Sequence, residues 1–209
     1  MKKIMFNDKY SLTQAVLDGR KTMTRRIIKC PRTFRGEWVA GFNIHRRHSD
    51  KKIVDWPCMY DADEREFDMG EILPKYELGE VVAIAQSYSD CGNMPDYELD
   101  EDGYPIMPKR SGFFNKMFVR ANLMPHHIRI TDIKIERLQN ISDEDCFKEG
   151  IFKWDAGQKD IPFYSFHYAD IPDYSNPCDA FAELIDKVSG KGTWESNPYV
   201  FVYEFELID

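Results

Sequence analysis

The chain has 209 residues, of which 43% are hydrophobic and 31% are charged, so it can bury a sizeable core and is not disordered by composition. Its net charge of −8 argues against a general nucleic-acid coat, and its five scattered cysteines form no CxxC pair and no His/Cys spacing typical of zinc. The longest strongly apolar run, residues 81–85, is too short to span a bilayer. We therefore expect a cytoplasmic protein with free thiols and no membrane segment, metal or cofactor.

The N-terminal part of the chain predicts short elements around one helix. A strand at residues 3–6 precedes a helix that ends at Gly19, because glycine readily adopts the left-handed conformation found after helix C-termini. Residues 25–28 look extended. The elements expected next are paired strands at residues 38–42 and 53–56, an edge hairpin at 58–72 and a central strand at 81–88.

The C-terminal part begins with an acidic segment at residues 90–111, whose Pro and Gly content predicts a long loop. A short strand is expected at residues 116–120. In residues 127–138 apolar and polar positions alternate, and the phase slips once near Asp132, which predicts a half-buried strand with a bulge or a bend. The last expected elements are a helix capped by Ser142 and ended by Gly150, a helix over residues 176–188 and a closing strand at 199–207.

Short strands outnumber helices and do not alternate regularly with them. This pattern favours an α+β, mainly β fold, a mixed β-barrel with short flanking helices, over a doubly wound sheet. No internal repeat and no clear linker divides the chain, so residues 1–209 are expected to form a single domain.

The most chemically capable stretch is residues 19–26, which read GRKTMTRR. It lies in a basic segment, residues 19–52, that carries eleven Lys/Arg and only two acidic residues, so it can bind an anion locally. Lys21 could act as a base for the Thr24 hydroxyl if repulsion from the neighbouring arginines lowered its pKa. A lysine after a helix C-terminus and a threonine in a strand are also ordinary structural residues, so both interpretations stay open.

Residues 19–26 resemble the signature of ASCH domains, which have a PUA-like β-barrel fold. Three further blocks are similar, in family order, to the longer ASCH proteins of phages and gut bacteria: residues 78–82, 137–150 and 194–202. The segments outside the resemblance, which we expect to be insertions on the minimal barrel, are residues 30–77, 90–115 and 152–175.

The resemblance implies a basic pocket that binds RNA or a nucleoside or nucleotide. More distantly, the chain is similar to the N4-acetylcytidine amidohydrolases, whose catalytic lysine, threonine and glutamate fall by motif on Lys21, Thr24 and Glu149. The chain is about twice as long as those enzymes and has Arg25 where they have an apolar residue. The expected ligand-binding residues are Arg20, Thr22, Arg25, Arg26 and Trp194.

Two of the candidate residues keep alternative interpretations. Trp194 is expected to pack in the barrel, or to stack on a base if it lines the pocket. Cys146 is expected in the core, because no histidine is close in sequence to activate it. A structural or partner-binding protein without a ligand pocket is the third functional hypothesis.

Overall fold

The structure is a computed structural model, and it describes residues 1–49, 52–92, 100–104, 112–154, 162–167 and 174–209; for residues 47–49 and 52–54 it describes the backbone alone. The strands in these residues are β1 (Lys3–Ile4), β2 (Met23–Ile27), β3 (Thr33–Phe34), β4 (Glu37–Trp38), β5 (Gly41–Ser49), β6 (Lys52–Tyr60), β7 (Glu66–Glu71), β8 (Val81–Ile84), β9 (His127–Arg137), β10 (Phe152–Trp154), β11 (Phe163–Ser165) and β12 (Tyr199–Leu207). The helices are α1 (Leu12–Leu17), α2 (Tyr88–Cys91), α3 (Asp143–Lys148), α4 (Pro177–Ser189) and α5 (Thr193–Ser196). Single 3₁₀ turns lie at Asp8–Tyr10, Lys116–Phe118, Ala121–Leu123 and Leu138–Asn140.

The main sheet has five strands in the order β1-β8-β9-β12-β2. Strand β1 runs parallel to β8, and the other neighbours are antiparallel. The expectation of a mainly β, α+β fold is confirmed. In the described residues β1 and β2 are the two edges, and no hydrogen-bonded ladder joins them into a closed barrel.

The long central pair of strands, β9 and β12, contains the predicted bulge. Glu204 pairs with Asp132 and Phe205 pairs with Ile130, so Thr131 is the extra residue in β9. The phase slip in the sequence is therefore confirmed. An extra residue shifts the alternation by one position, so that apolar side chains on both sides of the bulge still face the core.

The core lies between this sheet and helices α1 and α4. Helix α4 begins at Asn176, whose side chain accepts a hydrogen bond from the Cys178 N–H, and it buries Phe181 and Leu184. Burying each such side chain contributes about 1.5–3 kcal/mol. Cys146 of α3 is fully buried in the same core, as expected.

A second sheet, β5-β6-β7, and two small hairpins, β3-β4 and β10-β11, form outside the main sheet. The expected pairing of residues 38–42 with 53–56 is wrong, since Trp38 belongs to β4 and the ladder opposite β6 begins at Gly41. A Cβ on Gly41 would collide with the end of the Tyr60 side chain across the ladder, so a larger residue there would require that side chain to move. The edge hairpin of residues 58–72 is formed by the end of β6 and by β7.

Other local predictions failed where side-chain capping decided the outcome. Residues 116–120 form no strand; Lys116–Phe118 is a 3₁₀ turn, because the Asn115 side chain accepts a hydrogen bond from the Met117 N–H. Strands β10 and β11 and helix α5 were missed. The predicted loop at residues 90–111 lies largely outside the described residues. Among the described residues no helix is long and apolar enough to cross a membrane.

Candidate functional site: a cationic cavity beside strand β2

The turn after α1 fixes the backbone of the basic stretch. Gly19 has φ of +71°, which ends the helix and lets the Lys21 N–H donate back to the Ala15 carbonyl at 2.8 Å. The next N–H, of Thr22, donates to the Lys148 carbonyl at the end of α3 at 2.9 Å. The stretch is thus held between the ends of two helices before it enters β2.

Lys21 and Glu149 form a buried ion pair across this junction. Their exposed fractions are 2% and 4%, and the Lys21 Nζ donates to Glu149 Oε2 at 2.6 Å and to the Glu149 carbonyl at 2.7 Å. The next residue, Gly150, has φ of +106°, and a Cβ there would lie 3.4 Å from the Leu12 side chain. Glycine therefore allows the chain to turn while Glu149 points at the lysine.

Burial is the main cause that lowers the pKa of Lys21. The charges of Arg26 and Arg25 act in the same direction, whereas Glu149 opposes them. The repulsion expected from the sequence thus contributes, but desolvation contributes more. Lowering the pKa of a lysine increases the fraction of its neutral amine, which is the form that can act as a base.

Arg25 is committed to a network of three carboxylates. Its side chain is fully buried, and its guanidinium donates to Glu149 at 3.1 Å, to Glu136 at 2.7 Å and to Asp145 at 2.8 Å. Burial opposes its charge, but these acids raise the pKa of Arg25 overall. Lys134 lies 3.4 Å from both Glu136 and Asp145 and balances the remaining charge. Arg25 therefore positions Glu149, and because these contacts occupy its N–H groups, it offers none of them to a bulky ligand.

A cavity of about 790 Å³ opens on the face of β2 and β12 that carries Thr24 and Arg26. Glu149 is the single acid in its described lining. The cations in the lining are Lys3, Lys21, Arg25, Arg26, Lys29 and Lys75, and its aromatic residues are Phe6, Tyr76, Phe181, Phe201 and Tyr203.

Four of the six cations have no acidic partner in the described part of the chain. Arg26 donates to the Met5 carbonyl at 2.7 Å, and this contact joins the edges β1 and β2. Lys3 donates to backbone carbonyls, and Lys29 and Lys75 are exposed at the rim. The cavity thus carries a positive excess in an acidic protein, which favours an anionic ligand.

Thr24 shares this cavity with Lys21 and Glu149. It pairs with Tyr203 in the β2–β12 ladder and is 5% exposed. Its hydroxyl makes no hydrogen bond to the residues that the structure describes. The three residues carried over from the resemblance therefore line one site, and the threonine hydroxyl is available to a ligand.

Three of the expected ligand-binding residues lie outside the cavity. Arg20 pairs with Asp18 at 3.1 Å on the surface, and Thr22 is turned away from the lining. Trp194 packs edge-on against Phe181, with ring centroids 6.1 Å apart. Trp194 therefore packs against Phe181, as one of its two interpretations predicted, and it is not placed to stack on a base bound in this cavity.

Sequence reasoning missed the aromatic wall of the cavity. Phe6 lies 5.9 Å from both the Lys21 Nζ and the Arg26 guanidinium, measured from its ring centroid. Tyr76 and Tyr203 pack edge-on at 5.3 Å, and burial raises the pKa of both phenols. The consecutive apolar run of β12 signals burial on both faces, but no sequence pattern marks Tyr76.

Comparison of the chain with protein-family models, curated proteins and solved structures finds no match.

Proposed function

We propose that this chain is an ASCH-type domain with a PUA-like fold, and that its cavity binds a nucleotide, either free or as an unstacked unit of an RNA strand. The observation that carries this proposal is the set of cations, Lys3, Arg26, Lys29 and Lys75, that have no acidic partner among the described residues and surround an aromatic wall. Lysine and arginine recognise phosphate oxygens, and aromatic rings stack on bases. A cavity of about 790 Å³ falls within the range of small-ligand sites and is too small for a duplex.

The placement of the four sequence blocks supports the family proposal. Each block lies in or beside the main sheet: the turn into β2, the start of β8, the end of β9 with α3, and α5 with β12. Strands β3 to β7, and separately β10 and β11, fall in the segments expected to be insertions, and they form sheets of their own. One domain with attached insertions accounts for both observations.

Nucleotide binding is tested by calorimetric titration of CMP, AMP and cytidine at several salt concentrations. We expect monophosphates to bind more tightly than cytidine, and more weakly as salt rises. Arg26→Gln should weaken monophosphate binding about 10- to 100-fold, the loss expected for a charge-assisted hydrogen bond. Arg20→Gln is the matched control outside the cavity. Equal effects of the two variants, or equal affinity for cytidine and CMP, would contradict the proposal.

A second candidate function is hydrolysis of an acylated nucleoside such as N4-acetylcytidine. The observation that favours it is the convergence of a buried lysine of lowered pKa, a glutamate 2.6 Å away and an unengaged threonine hydroxyl in one cavity. Thr24 would attack the acetyl carbon while Lys21 takes its proton. Glu149 would hold Lys21 in place or return a proton to the leaving amine, and Arg26 would stabilise the oxyanion. Water then hydrolyses the acetyl-threonine ester and releases acetate.

Release of cytidine from N4-acetylcytidine tests this second function. Thr24→Ser retains a hydroxyl and should retain part of the activity, whereas Thr24→Val has the same shape and should lose it. Lys21→Met should also abolish turnover. No cytidine release by the folded wild-type protein would remove this substrate and leave nucleotide binding as the function of the cavity.

A further inference from the structure

The register of the second sheet brings a histidine and a glutamate to either side of a cysteine. His45 of β5 lies opposite Trp56 of β6, and Glu66 of β7 lies opposite Tyr60. Cys58 is the residue midway between Trp56 and Tyr60. Because side chains alternate along a strand and paired residues share a face, all five project from the same face of the sheet.

The three potential ligand atoms lie close together at the surface. One atom from each of His45, Cys58 and Glu66 lies within 4.8 Å of the other two. His45 and Glu66 are exposed and Cys58 is half-buried, whereas Pro57 and Met59 on the opposite face are buried. The cluster is therefore reachable from solvent, and it is anchored on a strand whose other side is packed.

We propose that His45, Cys58 and Glu66 bind a divalent transition-metal ion, with Zn²⁺ as the best fit, and that a fourth position is open to water. Imidazole nitrogen, thiolate sulfur and carboxylate oxygen are the three protein ligand types of zinc. A thiolate disfavours Mg²⁺ and Ca²⁺, which prefer oxygen ligands. Bonds of about 2.0–2.3 Å in a tetrahedron separate ligand atoms by about 3.3–3.8 Å, and the three observed atoms already lie within 4.8 Å of one another.

This site is separate from the cationic cavity. None of its three residues lines the cavity, and its strands belong to a different sheet. The sequence spacing, 13 residues from His45 to Cys58 and 8 from Cys58 to Glu66, is not that of a zinc motif, which is why the sequence predicted no metal. A His45–Glu66 hydrogen bond exists without any metal, so the distinguishing ligand is the Cys58 thiolate.

The first test is titration of CoCl₂ into reduced protein, followed by the near-ultraviolet thiolate-to-cobalt charge-transfer band. Native mass spectrometry with ZnCl₂ gives the stoichiometry, which we expect to be one ion per chain. Cys58→Ser should abolish the band and weaken Zn²⁺ binding more than about 100-fold, beyond the loss caused by removing an outer-shell partner. Cys91→Ser is the matched control and should behave as wild type.

A second variant keeps the proposal testable if Cys58→Ser perturbs the sheet. His45→Asn retains the thiol and a polar surface, and it should weaken Zn²⁺ binding at least about tenfold while leaving the circular dichroism spectrum unchanged. The proposal is overturned if wild-type protein gives no thiolate band, since the cluster is then only a His45–Glu66 hydrogen bond beside a thiol. It is also overturned if the band survives in Cys58→Ser.

Discussion

Replacing Lys21 by methionine tests the energetic role of the buried ion pair. The change removes two hydrogen bonds to Glu149, of 2.6 and 2.7 Å, and leaves that carboxylate buried with Arg25 as its remaining cationic partner. Removing one member of a buried pair costs about 3–5 kcal/mol. Methionine keeps the volume of the lysine stem, so the cavity contribution to this loss is small.

Urea unfolding, monitored by circular dichroism, measures this loss. We expect Lys21→Met to lower the free energy of unfolding by about 3–5 kcal/mol, which corresponds to a fall of about 6–20 °C in Tm for a chain of this length. Arg20→Met is the matched control, because its pair with Asp18 is partly open to solvent, with side chains 31% and 41% exposed, and such surface pairs contribute about 0–1 kcal/mol. If the free energies of unfolding of the two variants differ by less than about 1 kcal/mol, the buried Lys21–Glu149 pair does not contribute the stability predicted for it.

Wild type and Lys21→Met also give a pH test, in which the direction of the stability change is fixed in advance. Burial lowers the pKa of Lys21 below its ordinary value of 10.5, so between these two values the unfolded chain binds more protons at this residue. Stability therefore rises with pH in that window for wild type relative to Lys21→Met, and the difference is flat at lower pH. Urea unfolding midpoints of the two proteins, measured at a series of alkaline pH values, give this stability difference. A difference that falls with pH would mean that the attraction of Glu149 outweighs desolvation.

Three further predictions concern the surroundings of the site. Gly150→Ala should destabilise the fold by about 1–3 kcal/mol through its positive φ, and Gly190→Ala, whose φ is also positive, should cost a similar amount, because a Cβ at either position lies no closer than 3.4 Å to a described atom; thermal melts compare the two. Cys146 should react with iodoacetamide far more slowly than Cys91 in the native state, because burial raises the pKa of its thiol; peptide mass spectrometry measures both rates. Burial opposes ionisation of Asp145, but its arginine and lysine partners lower its pKa below 3.8. The stability it adds over Asp145→Asn should thus be present above that value and disappear as pH falls through the lowered pKa, measured by acid titration of urea midpoints.

The sequence alone determined the helices and strands in which buried positions recur at a regular period. β9 and β12 were predicted within one or two residues at each end, and the bulge near Asp132 was read from one slip in alternation. Helix α4 was predicted from its cap and its apolar stripe. Such patterns are local, because each apolar position reports which face of its own element is covered.

The sequence did not determine which strands pair when their partners are far apart or when a single contact decides. The backbone at Gly41 lies close to the Tyr60 side chain of the neighbouring strand, and the turn at residues 116–118 is capped by the Asn115 side chain. Neither contact leaves a periodic signal. Local propensity is weak enough for one such contact to reverse it.

The candidate site divides in the same way. The chemistry of residues 19–26 is visible in the sequence, but Lys21 and Glu149 are 128 positions apart, and only the packing of the end of α3 against the turn into β2 brings their side chains to 2.6 Å. Tertiary structure also pairs Arg25 with carboxylates, since β2 is an edge strand and α3 lies against it, whereas Arg26 has no acidic partner in the described parts of the chain. Composition could show a basic segment in an acidic chain, but only packing could decide which of its charges are neutralised and which face the cavity, because that choice depends on the acids that the fold places within reach.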